Sequence, residues 1–216
     1  MDRVTVYVDG FNFYYSLKRM IEADPNWKKK FYWIDFVKFF DHFIGDNQTL
    51  QKVVYFTTPP INHQKSIKQG ILLRANRLMN GSRFEVILGK FYEKTLICPV
   101  CNSSYTVPEE KRTDVNISVQ MLRDCALNKV DTLFLVSADS DIVPPLKLIK
   151  KDHPDKIVNV IFPPKSFSHD LNNIAKNNKG KVILLKYHKP KFQSSIMPDT
   201  ITIYGKSITI PQEWNV

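Results

Sequence analysis

Apolar residues run almost unbroken through RVTVYV, from Arg3 to Val8, and most are β-branched. Such a run predicts a strand buried on both faces, as in a parallel sheet. After Asp9 and Gly10 the period changes. FNFYYSLKRMI places Phe11, Tyr14 and Tyr15 so as to predict a helix with one apolar side. Beyond a solvated WKKK stretch, WIDFVKFFDHFI continues at helical spacing. Strand and helix signals then alternate. KVVYFT (Lys52 to Thr57), SRFEVILGKFYEK (Ser82 to Lys94), VDTLFLV (Val130 to Val136), KIVNVIFP and KVILLKY predict the further strands. QKSIKQGILLRANRLM, DVNISVQMLRDCALN (Asp114 to Asn128), PPLKLIKKD and SHDLNNIAKN predict helices. In DVNISVQMLRDCALN, Val115, Val119, Leu122 and Ala126 share one face, which is the expected core side. The prolines of PPLKLIKKD suit a first helical turn, whose N–H groups lack partners in any case. ITIYGKSITI alternates around Gly205, as a small hairpin or an extended arm.

This alternation predicts an α/β fold: three α/β/α layers around a central, mostly parallel sheet. The 216 residues suit one domain over 1–190, with a short cysteine-bearing hairpin inserted at 95–108 and a C-terminal extension over 191–216. Hydrophobic content of 43 % is enough for a sizeable core, yet no run approaches the roughly 20 apolar residues of a membrane span. MDRVTVYVDG has an early acid and no long apolar region, so no secretory signal is expected. Three cysteines, an odd number, argue against a disulfide framework and for a reducing compartment, hence the cytoplasm.

Charge adds a partner. The net value of +10 comes with basic runs at KKK, KLIKK and KNNKGK. A polyanion is the natural reading, nucleic acid ahead of a membrane surface, with plain solubility as the alternative. A homo-oligomer is left open; a dimer would widen the basic surface.

VSADSDIVPP places Asp139 and Asp141 two residues apart where the fourth strand gives way to a helix, and Asp9 ends the first strand. In open α/β sheets, ligands bind beyond the carboxyl ends of the strands. If the first and fourth strands are neighbours, the three carboxylates meet on one rim, where their repulsion calls for a cation. Oxygen-only ligands favour Mg2+ or Mn2+. Such an ion polarises a phosphoryl oxygen and acidifies water, so a basic chain with an acidic pocket reads as a phosphodiesterase. Each acid also has a plainer role. Asp139 or Asp141 would cap a helix, worth about 1 kcal/mol, and Asp9 would serve a turn. The third acid on the adjoining rim tips the balance toward metal. Asn12 would present its amide to phosphate or water, or supply polarity at a helix start. Asp114 would aim at the same pocket, or simply favour its helix dipole. Ser137 is either a hydroxyl ligand or a small turn residue. Lys111, Arg112 and Lys165 are candidate rim cations for a nucleic-acid backbone.

VTVYVDGFNFYYSL, TDVNISVQML and DTLFLVSADSDIVPPLKLI, in that order, resemble the NYN domains, the LabA-like branch of the PIN-like nuclease superfamily. FPPKSFSHDL adds to the likeness, which runs from Val4 to about Leu185. The resemblance implies a PIN-like fold and metal-dependent ribonuclease activity. It implies Asp9, Asp114, Asp139 and Asp141 as metal ligands and Asn12 as a catalytic partner. One position departs. Where many relatives carry a further aspartate, this chain has Gln120, which would weaken metal binding or serve substrate. Asp124, one turn on, could replace it only through a helix rotation or a water.

LICPVCNSSY holds Cys98 and Cys101 at zinc-knuckle spacing. Structural Zn2+ wants four ligands, and no histidine or cysteine pair at motif spacing completes the set, while Cys125 reads as core. Cys98 and Cys101 are thus either a structural zinc half-site completed by a second chain or a zinc-ribbon relic that keeps its hairpin without metal. A haloacid dehalogenase-like phosphatase is the enzyme rival, but its acid two residues after the nucleophile is Phe11 here. The alternative of a different class is a non-catalytic RNA-binding module with a degraded metal site. Phe13, Tyr14 and Tyr15 would then stack bases, with the core as their competing destination.

Overall fold

The structure is a computed structural model that describes residues 1–177 and 179–216, with the backbone alone at Pro108. Asn178, inside the basic KNNKGK run, lies outside the described residues. The chain begins with β1 (Asp2–Asp9), α1 (Gly10–Ala23), α2 (Phe36–Asp41), β2 (Gln48–Thr57), α3 (His63–Asn80) and β3 (Phe84–Leu88). A hairpin of β4 (Lys90–Ile97) and β5 (Ser104–Lys111) follows. Then come α4 (Thr113–Ala126), β6 (Thr132–Val136), α5 (Val143–Asp152), β7 (Ile157–Phe162), α6 (His169–Lys176) and β8 (Val182–Leu184). The chain closes with α7 (Lys189–Ser194) and the hairpin of β9 (Thr200–Ile203) and β10 (Lys206–Thr209).

Among the described residues, a six-stranded sheet runs in the order β3-β2-β1-β6-β7-β8, with every pairing parallel. The chain builds outward from β1 in one direction, returns, and builds from β6 in the other. Right-handed crossovers therefore place helices on opposite faces. Strand side chains alternate between the two resulting cores. Val4, Val6 and Val8 pack with Phe13, Leu17 and Phe36. Tyr7, Leu133 and Leu135 pack with Ile117 and Met121. The α/β sandwich expected from the alternation is present, in the PIN-like form that the resemblance implied.

Two helices turn differently from their expected faces. In α1 the buried side chains are Phe13, Ser16 and Leu17, while Tyr15 is 46 % exposed. In α4 Ile117, Met121 and Cys125 are buried, while Val115 and Val119 are 63 % and 57 % exposed. Each helix carries two apolar stripes, and periodicity cannot rank them. Arg112, at φ 80° in the left-handed region, sets the entry angle of α4 and turns Thr113 inward.

Boundaries also shift. SRFEVILGKFYEK divides at Gly89 into β3 and β4, which belong to different sheets. KVILLKY pairs only over Val182–Leu184, then closes into a 3-10 turn. The cysteine hairpin extends on both sides of 95–108. Its tip holds Cys98, half-exposed, and Cys101, exposed, whereas Cys125 is buried. Among the described residues, no group of three or more His, Cys, Asp or Glu side chains is placed to hold a metal ion, so the tip offers two of the four ligands that zinc wants. Of the two readings of the C-terminal segment, the structure has the hairpin around Gly205, and Phe192, Met197, Ile201, Ile210 and Trp214 join the core of Val4, Val6 and Val8. Among the described residues, no helix is long and apolar enough to cross a membrane.

Candidate active site

Strand order reverses between β1 and β6, and the register pairs Val8 with Val136. Asp9 and Ser137 are therefore the next residues beyond the two paired strand ends. The Ser137 hydroxyl donates to Asp9 Oδ2 at 2.8 Å and accepts from the Asp139 N–H at 3.0 Å. Asp9 Oδ1 accepts from the Asn12 N–H at 3.0 Å, and Asn12 Oδ1 accepts from the Ala138 N–H at 3.2 Å. Asp139 Oδ1 accepts from the Asp141 N–H at 2.9 Å. The capping roles are thus real: Asp9 caps α1, and Asp139 caps the 3-10 turn Ser140–Ile142. Those same bonds aim both carboxylates at one place.

Asp9, Asn12, Asp114 and Asp139 line a cavity of about 310 Å3, together with Glu110 and Arg19. Asp141 is exposed and outside that lining, although its charge still acts on Asp114. Burial, then the charges of Asp9 and Asp139, push the Asp114 carboxyl up to about 6. Burial also raises Asp9; the bonds from Asn12 and Ser137 oppose this, and Asp139 and Glu110 add to it. Among the described residues, none of the four carboxylates forms an ion pair. Four carboxylates against the one guanidinium of Arg19 leave an excess of negative charge on oxygen donors, which fits a hard divalent cation. Among the described residues, no three of these side chains are grouped so as to hold one ion directly. That arrangement suits an ion that keeps most of its water and takes one or two carboxylates, as Mg2+ does.

Glu110 and Arg19 escaped the sequence reading. Glu110 sits in EEKRTD and reads as a surface acid. In the fold its Oε1 accepts from the Thr58 hydroxyl at 3.1 Å and from the Thr113 hydroxyl. Gly89 leaves room for this cluster, since a Cβ there would lie 2.7 Å from Glu110 Oε1. Arg19 donates to Ser16 and Ser166 at 3.0 and 2.9 Å, which holds a cation at the cavity edge.

The fold does not bring Gln120 to the cavity. Its amide donates to both oxygens of Asp124 at 3.0 Å, and buried Asp124 also takes the Tyr7 hydroxyl at 2.9 Å. Asp124 is thus held within the α4 side of the core, not at the strand ends. Lys111 pairs with Glu109 at 3.2 Å, and the Arg112 guanidinium lies over the Tyr92 ring at 5.5 Å. Lys165 is exposed on the loop that brings Ser166 to Arg19.

Residues 3–178 match the NYN domain family. Among curated proteins, 6-hydroxy-3-succinoylpyridine 3-monooxygenase of Pseudomonas putida is 24 % identical, over 79 % of this chain and 62 % of its own length. The chain thus spans less than two thirds of that relative. Among solved structures, a protein of unknown function from Vibrio parahaemolyticus aligns with a TM-score of 0.52 at 18 % identity, over 85 % of this chain and 93 % of the other. At that identity the likeness is one of fold.

Proposed function

The chain belongs to the NYN domain family, a branch of the PIN-like nucleases, and on that premise we propose that it is a ribonuclease that cleaves RNA phosphodiester bonds with Mg2+ or Mn2+. The observation that carries this reading is the convergence of four carboxylates, Asp9, Glu110, Asp114 and Asp139, on one cavity whose single cation is Arg19 at its edge, with none of the four in an ion pair among the described residues. One or two of Asp9, Asp114 and Asp139 would ligate the ion directly, and the remainder would hold it through its water shell. When bound, it supplies charge for the phosphoryl oxygens and acidifies the attacking water. Ser137 and the Asn12 N–H keep Asp9 oriented, so its carboxylate needs no rearrangement as charge develops. Glu110, fixed by two threonine hydroxyls, is placed to accept a proton from water. Arg19 stands at the rim as a donor to a phosphate. Asp141 would act through its charge, and Lys111, Arg112 and Lys165 would hold backbone farther out.

The test is cleavage of labelled RNA with Mn2+ or Mg2+, arrested by EDTA. Asp139→Asn should lower turnover roughly a hundredfold or more and retain RNA binding. RNA left intact by the parent protein with either ion refutes the assignment. A non-catalytic RNA-binding module is the second reading, favoured by Gln120, which bonds Asp124 instead of adding to the cavity. It predicts salt-sensitive affinity that is indifferent to chelator. The Pseudomonas relative's name marks a third chemistry, oxidation of a pyridine ring, and metal-dependent RNA cleavage lost in Asp139→Asn separates the two.

A further inference from the structure

The side of α1 that carries Phe11, Tyr14 and Tyr15 belongs to neither core. It faces a second cavity, of about 520 Å3, beside the acidic one. A row of rings forms its wall. Phe91 meets Phe11 edge-on at 6.0 Å, Phe11 stacks with Tyr15 at 6.2 Å, and Tyr15 meets Tyr14 at 5.2 Å. Tyr32 links Tyr14 to Trp214 at 5.2 and 5.5 Å. Phe91 comes from the β4 arm and Trp214 from the last 3-10 turn, so segments far apart in sequence converge here. The facing wall is α3, with Lys65 and Lys68 as cations and Gln69 as an amide. Gln69 donates to Thr57 at 2.9 Å and keeps its own acceptor for a ligand. Phe11, Tyr15 and Glu110 line both cavities.

We infer that the aromatic cavity seats one unpaired nucleobase, from the nucleotide beside the scissile phosphate, and so makes the site selective for single-stranded RNA. The inference rests on the RNA reading of the acidic cavity. Given that reading, the shared wall places the sugar next to the phosphate, and the base enters the aromatic space. The volume falls within the roughly 300–1,000 Å3 of small-molecule sites. Stacking on tyrosine and phenylalanine accepts any base, because each presents a π-face. Thr57, Asn62 and Gln69 offer donors and acceptors to a base edge, and Lys65 offers charge to the adjoining phosphate. A base held in a duplex cannot reach such a recess without leaving its stack.

The experiment is fluorescence anisotropy with the Asp139→Asn protein, Mn2+ and a short labelled RNA strand. Asparagine caps as well as aspartate, so the 3-10 turn survives. A duplex of the same sequence should bind at least tenfold more weakly, and one abasic position should cost about tenfold. Tyr15, at 46 % exposure, can be cut to alanine without opening the core. Tyr15→Ala should lose the same factor and then ignore the abasic position, and Tyr15→Trp should restore affinity. Equal affinity for intact and abasic strands, an unaffected Tyr15→Ala, or no binding at all overturns the assignment. Cleavage by the parent protein is read separately. If it cuts intact and abasic strands alike, the base site falls and the nuclease stands. If it binds in the expected pattern and never cuts, the base site stands and the nuclease falls.

Discussion

Asp114 is the residue whose surroundings oppose its own charge. Its folded value of about 6 lies above the unfolded value of about 3.9. The folded protein therefore holds the extra proton between those values. That contribution to stability is complete below the lower value and is lost as pH rises through the upper. Urea melts of metal-free protein should show Asp114→Asn more stable than the parent by roughly 1 kcal/mol near neutral pH, once solvent screening of this partly exposed group is allowed for. The gap should close toward about pH 4. Mn2+ at saturating concentration should reverse the order, by stabilising the parent alone. Gly10 sets a second limit at this scale. A Cβ there would fall 2.5 Å from the Tyr55 ring and 2.6 Å from the Phe56 carbonyl. Gly10→Ala should destabilise by about 1–3 kcal/mol in the same melts, because α1 must retreat from β2 and Asp9 moves with it. Gln120→Ala removes one of two donors to buried Asp124 and should cost about 1 kcal/mol. RNA affinity should be unchanged by it, since the amide does not reach the cavity.

Helices α1 and α4 each divide their apolar residues between a core face and a face turned elsewhere. The buried stripe of α4 holds Ile117 and Met121, both fully enclosed. Met121→Ala should cost about 2–5 kcal/mol. Val119→Glu, on the open stripe, should stay within about 0.5 kcal/mol of the parent. Thermal melts of the two variants separate the faces; equal losses would mean that α4 is rotated from the orientation described. In α1 the open stripe is the ring wall of the second cavity, which explains why a helix can spend three aromatics outside the core.

At the scale of the molecule, the C-terminal segment acts as a clamp on one face of the sheet. Phe192 is fully buried against Phe13, Trp27, Phe31 and Phe39. Phe192→Ala should cost about 3–5 kcal/mol, as large as a change in the central sheet. Calorimetry would check this, and a loss under about 1 kcal/mol would mean the segment docks only loosely. Lys68 and Glu213 tie the same segment to α3, and Trp214 reaches the aromatic cavity. Loosening the clamp should therefore weaken RNA binding as well as stability.

The order of elements, the parallel sheet and the acids at the strand ends were legible in the chain. Each rests on local facts: β-branched runs, helical spacing, and polar residues placed where a strand must stop. Asp9 and Asp139 could be placed at or just beyond strand ends because the apolar runs before them stop there; that β1 and β6 lie side by side was only a condition in the sequence and is decided by the fold. Sequence could not show which stripe of α1 or α4 faces the sheet, because two stripes of similar hydrophobicity satisfy the same period. Nor could it show Glu110 or Arg19 at the cavity, or Phe91 and Trp214 across from Tyr15. Those placements depend on chain crossings between residues tens to hundreds of positions apart, and only the packed structure decides them.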